Sequence, residues 1–317
     1  MRARSLLRLL LLVQAVAALG IGAAAVSWLG WNRWAGLAAG VAAVLLVRLL
    51  INANNFRLAS RSASATPERF RLGAAARLQL FGEEFTASML QSSWTMPRAL
   101  AREVVYPEST APPVLMLHGY GCNSGYWSAL APRLDAVRIS YATLDLEPIG
   151  GAIDDYAPLV QRAVEQLCER TGAAQLVIVA HSMGGLVARA WMRRHGAGRV
   201  ARVITLGTPH HGTCLASFGL GQNAAQMRRA GADDGTENDW LCRLAAGESA
   251  ATRALITSIY THHDNIVSPQ TSSRLEGARN VEFGGVGHVA LGRNRRVLAM
   301  VMREIVTAAW TKPQSRR

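Results

Sequence analysis

Charge is scarce in this chain, and lysine is scarcer still. Only 17% of the 317 residues are charged, nearly every basic one is arginine, and half of all residues are hydrophobic. A disordered chain needs the opposite balance and is excluded. Cysteine is sparse as well: Cys122, Cys168, Cys214 and Cys242, with no CxxC pair among them. That excludes zinc-ribbon and CxxC redox motifs. A chain of this length buries a core without a disulfide or metal staple. Cys214 and Cys242 bracket one irregular segment and could bridge it, but spacing does not fix a cysteine's partner. No Arg/Lys stripe interleaved with aromatics is present, so nucleic acid is not an expected partner. No internal repeat is visible, which sets repeat architectures aside.

The net charge of +13 is unevenly placed. Residues 1–105 hold twelve Arg against four Glu, and residues 106–317 hold 22 basic against 17 acidic residues. The excess flanks an apolar N-terminus, which fits attraction to anionic lipid head groups. Between Arg8 and Arg33 no residue is charged. Leu9 to Leu29 is an uncharged run whose helix would be about 31 Å long at ~1.5 Å per residue. A hydrocarbon core is about 30 Å thick. A second run, Trp34 to Ile51, contains one charge, Arg48, near enough to its end to snorkel to the interface. Trp28, Trp31 and Trp34 cluster between the runs, where an aromatic belt would sit. These features are expected to form a transmembrane helical hairpin over residues 1–56. Arginines lie outside both runs (Arg2, Arg4, Arg8, then Arg57, Arg61, Arg69, Arg71), with Arg33 alone in the turn. The positive-inside rule then puts both ends, and the large domain, in the cytoplasm. The rivals are a secretory signal cleaved near Ala23–Ala25, which would leave the second apolar run as an anchor and the domain periplasmic or secreted, and a single span followed by a surface helix.

Residues 57–105 read as a helical connector, with a small polar linker at 60–66 and helical spacing over Pro67–Gln91. No chemistry is visible in it. From Tyr106 onward short apolar runs alternate with helical ones. Strands are expected at Val114–Leu117, Val137–Leu144, Leu176–Ala180, Val200–Leu206, Ala254–Tyr260 and Val281–Phe283. Helices are expected from Asp154 to Arg170, over Leu186–His195 and over Ala290–Trp310. This alternation implies an α/β domain over 106–317, with a mostly parallel sheet covered by helices on both faces. Residues 210–251 break the alternation and read as a cap-like insertion.

The most informative segment is LVIVAHSMGGLVARAW, residues 176–191. Ala180-His181-Ser182-Met183-Gly184 has the GxSxG form with Ala in place of the first glycine. A strand enters it and a helix leaves it, the context of a nucleophile elbow. Such a turn exposes the Ser182 hydroxyl at the carboxyl edge of the sheet and aims the Met183 N–H at the same spot. His118-Gly119-Tyr120-Gly121 follows an earlier strand, and the Tyr120 N–H can supply the second donor of an oxyanion hole. A base and an orienting acid must follow the serine in the chain. Of the later histidines, His195 lies too far along the elbow helix, and no acid falls between Ser182 and His210 or His211. His288, in FGGVGHVAL between the last strand and the last helix, is the expected base. Asp264, in YTHHDNIVSP after a strand, is the expected acid, ahead of Asp233, Asp234, Asp239, Glu276 and Glu282. His262 and His263 stand beside Asp264 without further ligands at metal spacing, so no metal and no cofactor is expected.

With those residues in view, 112–310 resembles the α/β-hydrolase fold, and within it the bacterial lipase and carboxylesterase group. PPVLMLHGYGCNSGYW, VIVAHSMGGLVAR, VITLGTPHHGT, YTHHDNIVSP and GVGHVAL match that group's pattern in order. The resemblance implies Ser182 as nucleophile, His288 as base, Asp264 as its orienter, and the Tyr120 and Met183 N–H groups as the oxyanion hole. It implies a serine hydrolase of carboxylic esters acting through an acyl-enzyme. With the hairpin, it implies an enzyme of the bacterial inner membrane with an ester or lipid-like substrate. An acyltransferase or amidase with the same triad, or a non-catalytic membrane scaffold, are the alternatives. Because all these residues lie beyond Tyr106, removal of residues 1–56 is expected to leave a soluble, active hydrolase.

Overall fold

The computed structural model of the chain describes residues 2–229 and 238–310. The two apolar runs form helices α1 (Ala3–Leu29) and α2 (Arg33–Arg61), packed on one another. Gly30, at φ 67°, ends α1 in the left-handed conformation. Asn32 then opens α2, its Oδ1 accepting from the N–H groups of Trp34 and Ala35 at 3.1 and 2.9 Å. The seam is made of small residues: Ala18 meets Gly40, and a Cβ on Gly22 would stand 2.8 Å from the Gly36 carbonyl oxygen. Such seams let two apolar helices pack backbone to backbone. The large side chains face outward, with Trp28 84% and Trp34 68% exposed. Both helices are long and apolar enough to cross a membrane.

The connector is a packed element. After a 3-10 turn at Glu68–Phe70 comes α3 (Ala74–Leu90), which runs through a π-helical turn at Gln91–Thr95 into α4 (Met96–Arg98). Arg48 does not reach outward as its place near the end of the run suggested. Its guanidinium donates to Gln14 Oε1 (2.7 Å), Ser93 Oγ (2.6 Å) and Met89 Sδ (3.0 Å), tying α1 and α2 to the end of α3. A guanidinium partly withdrawn from water needs such acceptors, and side chains on neighbouring segments supply them.

The sheet contains β1 (Glu103–Val104), β2 (Val114–Leu117), β3 (Tyr141–Leu144), β4 (Leu176–His181), β5 (Val200–Leu206), β6 (Ile256–Thr261) and β7 (Arg279–Phe283). Its order is β1-β3-β2-β4-β5-β6-β7, parallel except where β1 runs antiparallel to β3. The helices between are α5 (Ala131–Ala136), α6 (Ala157–Thr171), α7 (Met183–His195), α8 (Gln222–Met227), α9 (Asp239–Ala246), α10 (Ala250–Ala254) and α11 (Arg295–Trp310). Every residue of β2 and β4 is buried, as strands covered on both faces require. Leu176, Ile178 and Ala180 of β4 face one core with α6 and α7. Val177 and Val179 face the other, with Trp127, Val297, Val301 and Ile305. The expected strand at Val137–Leu144 is halved. Val137 closes α5, and Arg138, at φ 50°, turns the chain toward the sheet, so only Tyr141–Leu144 is extended. Likewise the last helix starts at Arg295, after a 3-10 turn at Val289–Gly292.

From β2 the chain steps to β3 on one side, then crosses back to β4 on the other. The crevice at the carboxyl ends of β2 and β4 is therefore the topological switch point, where open α/β sheets bind ligands. Ser182 occupies it at φ 53°, ψ −126°, a conformation costly for a residue with a Cβ. Crowding enforces the turn: a Cβ on Gly184 would stand 2.5 Å from the Leu117 carbonyl oxygen, and one on Gly119 would stand 2.9 Å from Ser182 Cβ. Ala180, wholly buried, fits its single methyl there. Because glycine relieves the φ strain and alanine does not, Ser182→Gly is expected to be more stable than Ser182→Ala by about 1 kcal/mol, the strain less glycine's entropic cost. Urea midpoints decide this, and an equal or lower midpoint for the glycine variant would show an unstrained turn.

Candidate active site

Three segments converge on the switch point. The elbow is tied to β5 by the Ser182 N–H, which donates to the Leu206 carbonyl at 2.8 Å. Thr208 Oγ1 donates to the Ser182 carbonyl at 2.9 Å. Met183 is the first residue of α7, so its N–H has no intrahelical acceptor and points out of the helix start beside Ser182.

The loop after β2 is fixed by His118, which is buried. The Leu146 N–H donates to its Nε2 at 2.9 Å, so Nδ1 carries the proton and donates to the Gly119 carbonyl, also at 2.9 Å. Burial lowers the His118 pKa, with the Gly119 contact opposing, and the ring stays neutral. The Cys122 N–H donates to the same carbonyl at 3.2 Å. A trans peptide holds its C=O and N–H in opposite directions. Pinning the Gly119 oxygen on one side therefore sets the direction of the Tyr120 N–H on the other. The Tyr120 hydroxyl reaches the cap, donating to the Leu220 carbonyl at 2.7 Å and accepting from the Leu220 N–H at 2.9 Å.

The third segment brings Asp264 and His288 together. His288 Nδ1 donates to Asp264 Oδ2 at 2.8 Å, and both side chains are buried. The other oxygen, Oδ1, accepts from the N–H groups of Ile266 (2.8 Å) and Val267 (2.7 Å). Asn265 Oδ1 accepts from the His288 N–H at 3.0 Å. Burial pulls the His288 pKa down, but the Asp264 charge and hydrogen bond, with Glu84 behind them, outweigh it and leave it raised above 6.5. Gly207, at φ 54°, passes beside the pair: a Cβ there would lie 3.1 Å from Asp264 Oδ2 and 3.2 Å from His288 Nδ1. On the far side, the His181 ring lies 4.6 Å from that of His288 and stacks on Tyr126 at 4.0 Å. An imidazole oriented by a carboxylate and a serine on a strained turn thus stand at one sheet edge, a set of groups able to move a proton.

The rival residues lie elsewhere. His210 Nε2 is 3.2 Å from Thr205 Oγ1, and its carbonyl accepts from Arg189, which pairs with buried Glu248 at 2.6 Å. His195 lies against Trp191 at the end of α7. His262 stacks on Phe70, while His263 Nδ1 accepts from the Gly285 N–H. Glu282 is held by Arg69 and Tyr260. Asp239 lies in the first turn of α9. Asp233 and Asp234 fall outside the described residues. Among the described residues no group of three His, Cys, Asp or Glu side chains comes together as a metal site. No disulfide joins Cys214 to Cys242.

A cavity of about 240 Å³ opens beside Ser182. The cap supplies Leu215, Ala216, Phe218, Ala224 and Met227, and the loop after β6 supplies Ile266 and Val267. Residues 230–237 of the expected cap fall outside the described residues. Two wall residues, Asn55 and Leu58, come from α2. Ser268 Oγ also donates to the Ala59 carbonyl at 2.7 Å. Deleting residues 1–56 would remove Asn55 and leave only the last residues of α2, so the hairpin contributes to the pocket wall, a contact that its sequence did not signal.

The connector contributes a residue that its sequence did not advertise. Glu84 of α3 is 1% exposed, and its carboxylate accepts from the N–H groups of Val289 (3.0 Å) and Ala290 (2.9 Å), directly after His288. A signal was present: Glu84 lies four residues after Leu80 and three before Ala87, on the one buried stripe of α3.

Comparison with known proteins agrees with this architecture. Residues 112–253 match the family model described as alpha/beta hydrolase fold. Over 99 residues the chain is 29% identical to a pimeloyl-[acyl-carrier protein] methyl ester esterase of Vibrio vulnificus. That match covers 31% of this chain and only 38% of the length of that curated relative. The mature form of the Bacillus licheniformis lipase BlEst2 superimposes with a TM-score of 0.54 at 17% identity, over 65% of this chain and 97% of the lipase. Lipase B of Aspergillus fumigatus gives 0.53 at 18%, over 66% and 56%. At such identities the likeness is one of fold. The sheet order, the strand–turn–helix at Ser182 and the family match together make this chain an α/β-hydrolase-fold protein with lipase and esterase structural neighbours, preceded by two long apolar helices.

Proposed function

We propose that the chain is a membrane-anchored serine hydrolase of carboxylic esters with an apolar acyl group. The observation that carries this reading is the buried His288–Asp264 pair, 2.8 Å apart, at the sheet edge that holds the strained Ser182. In this reading the Ser182 hydroxyl attacks the acyl carbonyl and His288 takes its proton. The Tyr120 and Met183 N–H groups hold the oxyanion. The alcohol leaves with the proton from His288, and water then releases the acid from the acyl-enzyme. Asp264 fixes the tautomer that leaves Nε2 free to accept. The apolar cavity supports a reading in which an acyl chain binds there, and its wall on α2 supports a binding site beside the hairpin.

Nitrophenyl esters of graded chain length test the chemistry. Ser182→Ala and His288→Ala are each expected to lower kcat by roughly 10⁴-fold. Asp264→Asn should leave more residual activity, because the carboxylate never touches substrate. Near-normal turnover by His288→Ala would reject the base. A protonated imidazole cannot act as base, so kcat/KM should fall as the pH drops through the His288 pKa. Since that pKa is raised, the acid limb should lie above 6.5 in the parent and move down in Asp264→Asn. A limb that stays in place would detach Asp264 from the base.

Arginines on both outer flanks of the hairpin support a cytoplasmic active site. Reporter enzymes fused after Arg57 read the side directly. An active periplasmic phosphatase at that junction would reverse the orientation.

A further inference from the structure

Glu84 lies outside the residues that match the hydrolase family, on a helix that precedes the sheet. Its side chain is buried against the loop carrying His288, some two hundred residues later in the chain. Each oxygen accepts from one main-chain N–H, Val289 to Oε1 and Ala290 to Oε2. Both oxygens therefore act as acceptors, as those of an ionised carboxylate can. The loop is shaped to admit it: a Cβ on Gly287 would stand 2.5 Å from Glu84 Oε2. Burial, with the Asp264 charge adding to it, leaves the Glu84 pKa raised above the ordinary carboxylate value, although the two N–H groups and His288 oppose the shift.

We propose that Glu84 is a positioning residue for His288. From the connector helix it clamps the two residues after the imidazole and sets a negative charge behind the ring. This rests on the reading of His288 as the general base. Groups facing the ring from other elements are Asp264 after β6 and His181 at the end of β4, with Tyr126 behind His181 and Cys122 behind Tyr126. His181 is buried and its pKa lies well below the ordinary imidazole value, so it adds no charge. Among the described residues, Asp264 and Glu84 are thus the carboxylates whose charge bears on His288. Further along α3 and its π-turn, Met89 and Ser93 hold Arg48 of α2. One continuous helical segment therefore grips both the apolar hairpin and the loop of the base.

The test uses the full chain in detergent with a short, soluble nitrophenyl ester, so that acyl-pocket effects stay small. In E84Q, kcat should fall by about tenfold, short of the roughly 10²–10⁴-fold a general base supplies. KM should stay within about twofold, and the acid limb of kcat/KM should move down by about one pH unit, because a charge that favoured the imidazolium is gone. E84D keeps the charge but withdraws it by one methylene, so kcat should fall with a smaller movement of the limb. A residue serving the fold alone would lower the thermal midpoint without moving the limb. If E84Q does not fold, G287A decides, since its methyl would push the carboxylate off its donors and should move the limb the same way. An unmoved limb overturns the proposal, whether or not kcat falls. H288A in parallel separates the two readings. An active H288A rejects the base and this inference together, whereas an inert H288A beside an E84Q with an unmoved limb rejects this inference alone.

Discussion

A carboxylate buried at the edge of a parallel sheet is costly unless donors answer every oxygen. Asp264 is such a group, and the local structure is arranged around it. The loop after β6 turns so that two of its own N–H groups face Oδ1, and Oδ2 is left to the His288 ring. Gly207 stays small so that β5 can end beside the pair. His288 is in turn held through its own N–H by Asn265 and through the following N–H groups by Glu84. The His288 imidazole is thus held through its Nδ1 and through the main chain on which it stands.

The same economy of space shapes the other half of the site. The elbow holds Ser182 at a strained φ because the β4-to-α7 turn has no room for anything wider than Ala180, Gly184 and Gly185. His118 spends both ring nitrogens on the main chain, and the Gly119–Tyr120 peptide is aimed as a result. Tyr120 then serves twice, by its N–H at the sheet edge and by its hydroxyl on Leu220. The segment around Leu220 is therefore joined to the loop after β2, and the apolar cavity closes between residues 215–227 and α2.

What the sequence disclosed, and what it concealed, follows from the range of each interaction. Ser182 was legible because strand, turn and helix lie within sixteen residues and the crowding is local. Asp264 and His288 were legible as loop residues after successive strands, in the order the fold demands. Tyr141–Leu144 was overextended to Val137 because apolar alternation does not register a left-handed Arg138. β1 passed unseen because two residues carry no periodicity. Glu84 and Asn55 were concealed for a different reason: their partners lie on distant segments, and a glutamate beside exposed Glu83 reads as helix surface. Arg48 shows the same limit, since a lone charge near the end of an apolar run suggests snorkelling until Gln14, Met89 and Ser93 are seen around it. Local pattern disclosed the candidate residues, and only tertiary contact disclosed the residues that hold them.

The central claim is that acyl transfer passes through Ser182 in a site completed by the hairpin and the connector. Rapid quench of the full-length protein with a slowly deacylating ester, followed by peptide mass spectrometry, tests it most directly. The account predicts one acyl adduct, on the peptide that contains Ser182, formed at stoichiometric level by the full chain and strongly reduced when residues 1–56 are removed. An adduct on another residue, or no adduct during active turnover, would contradict the covalent mechanism. Equal acylation of the truncated chain would contradict the part assigned to α2.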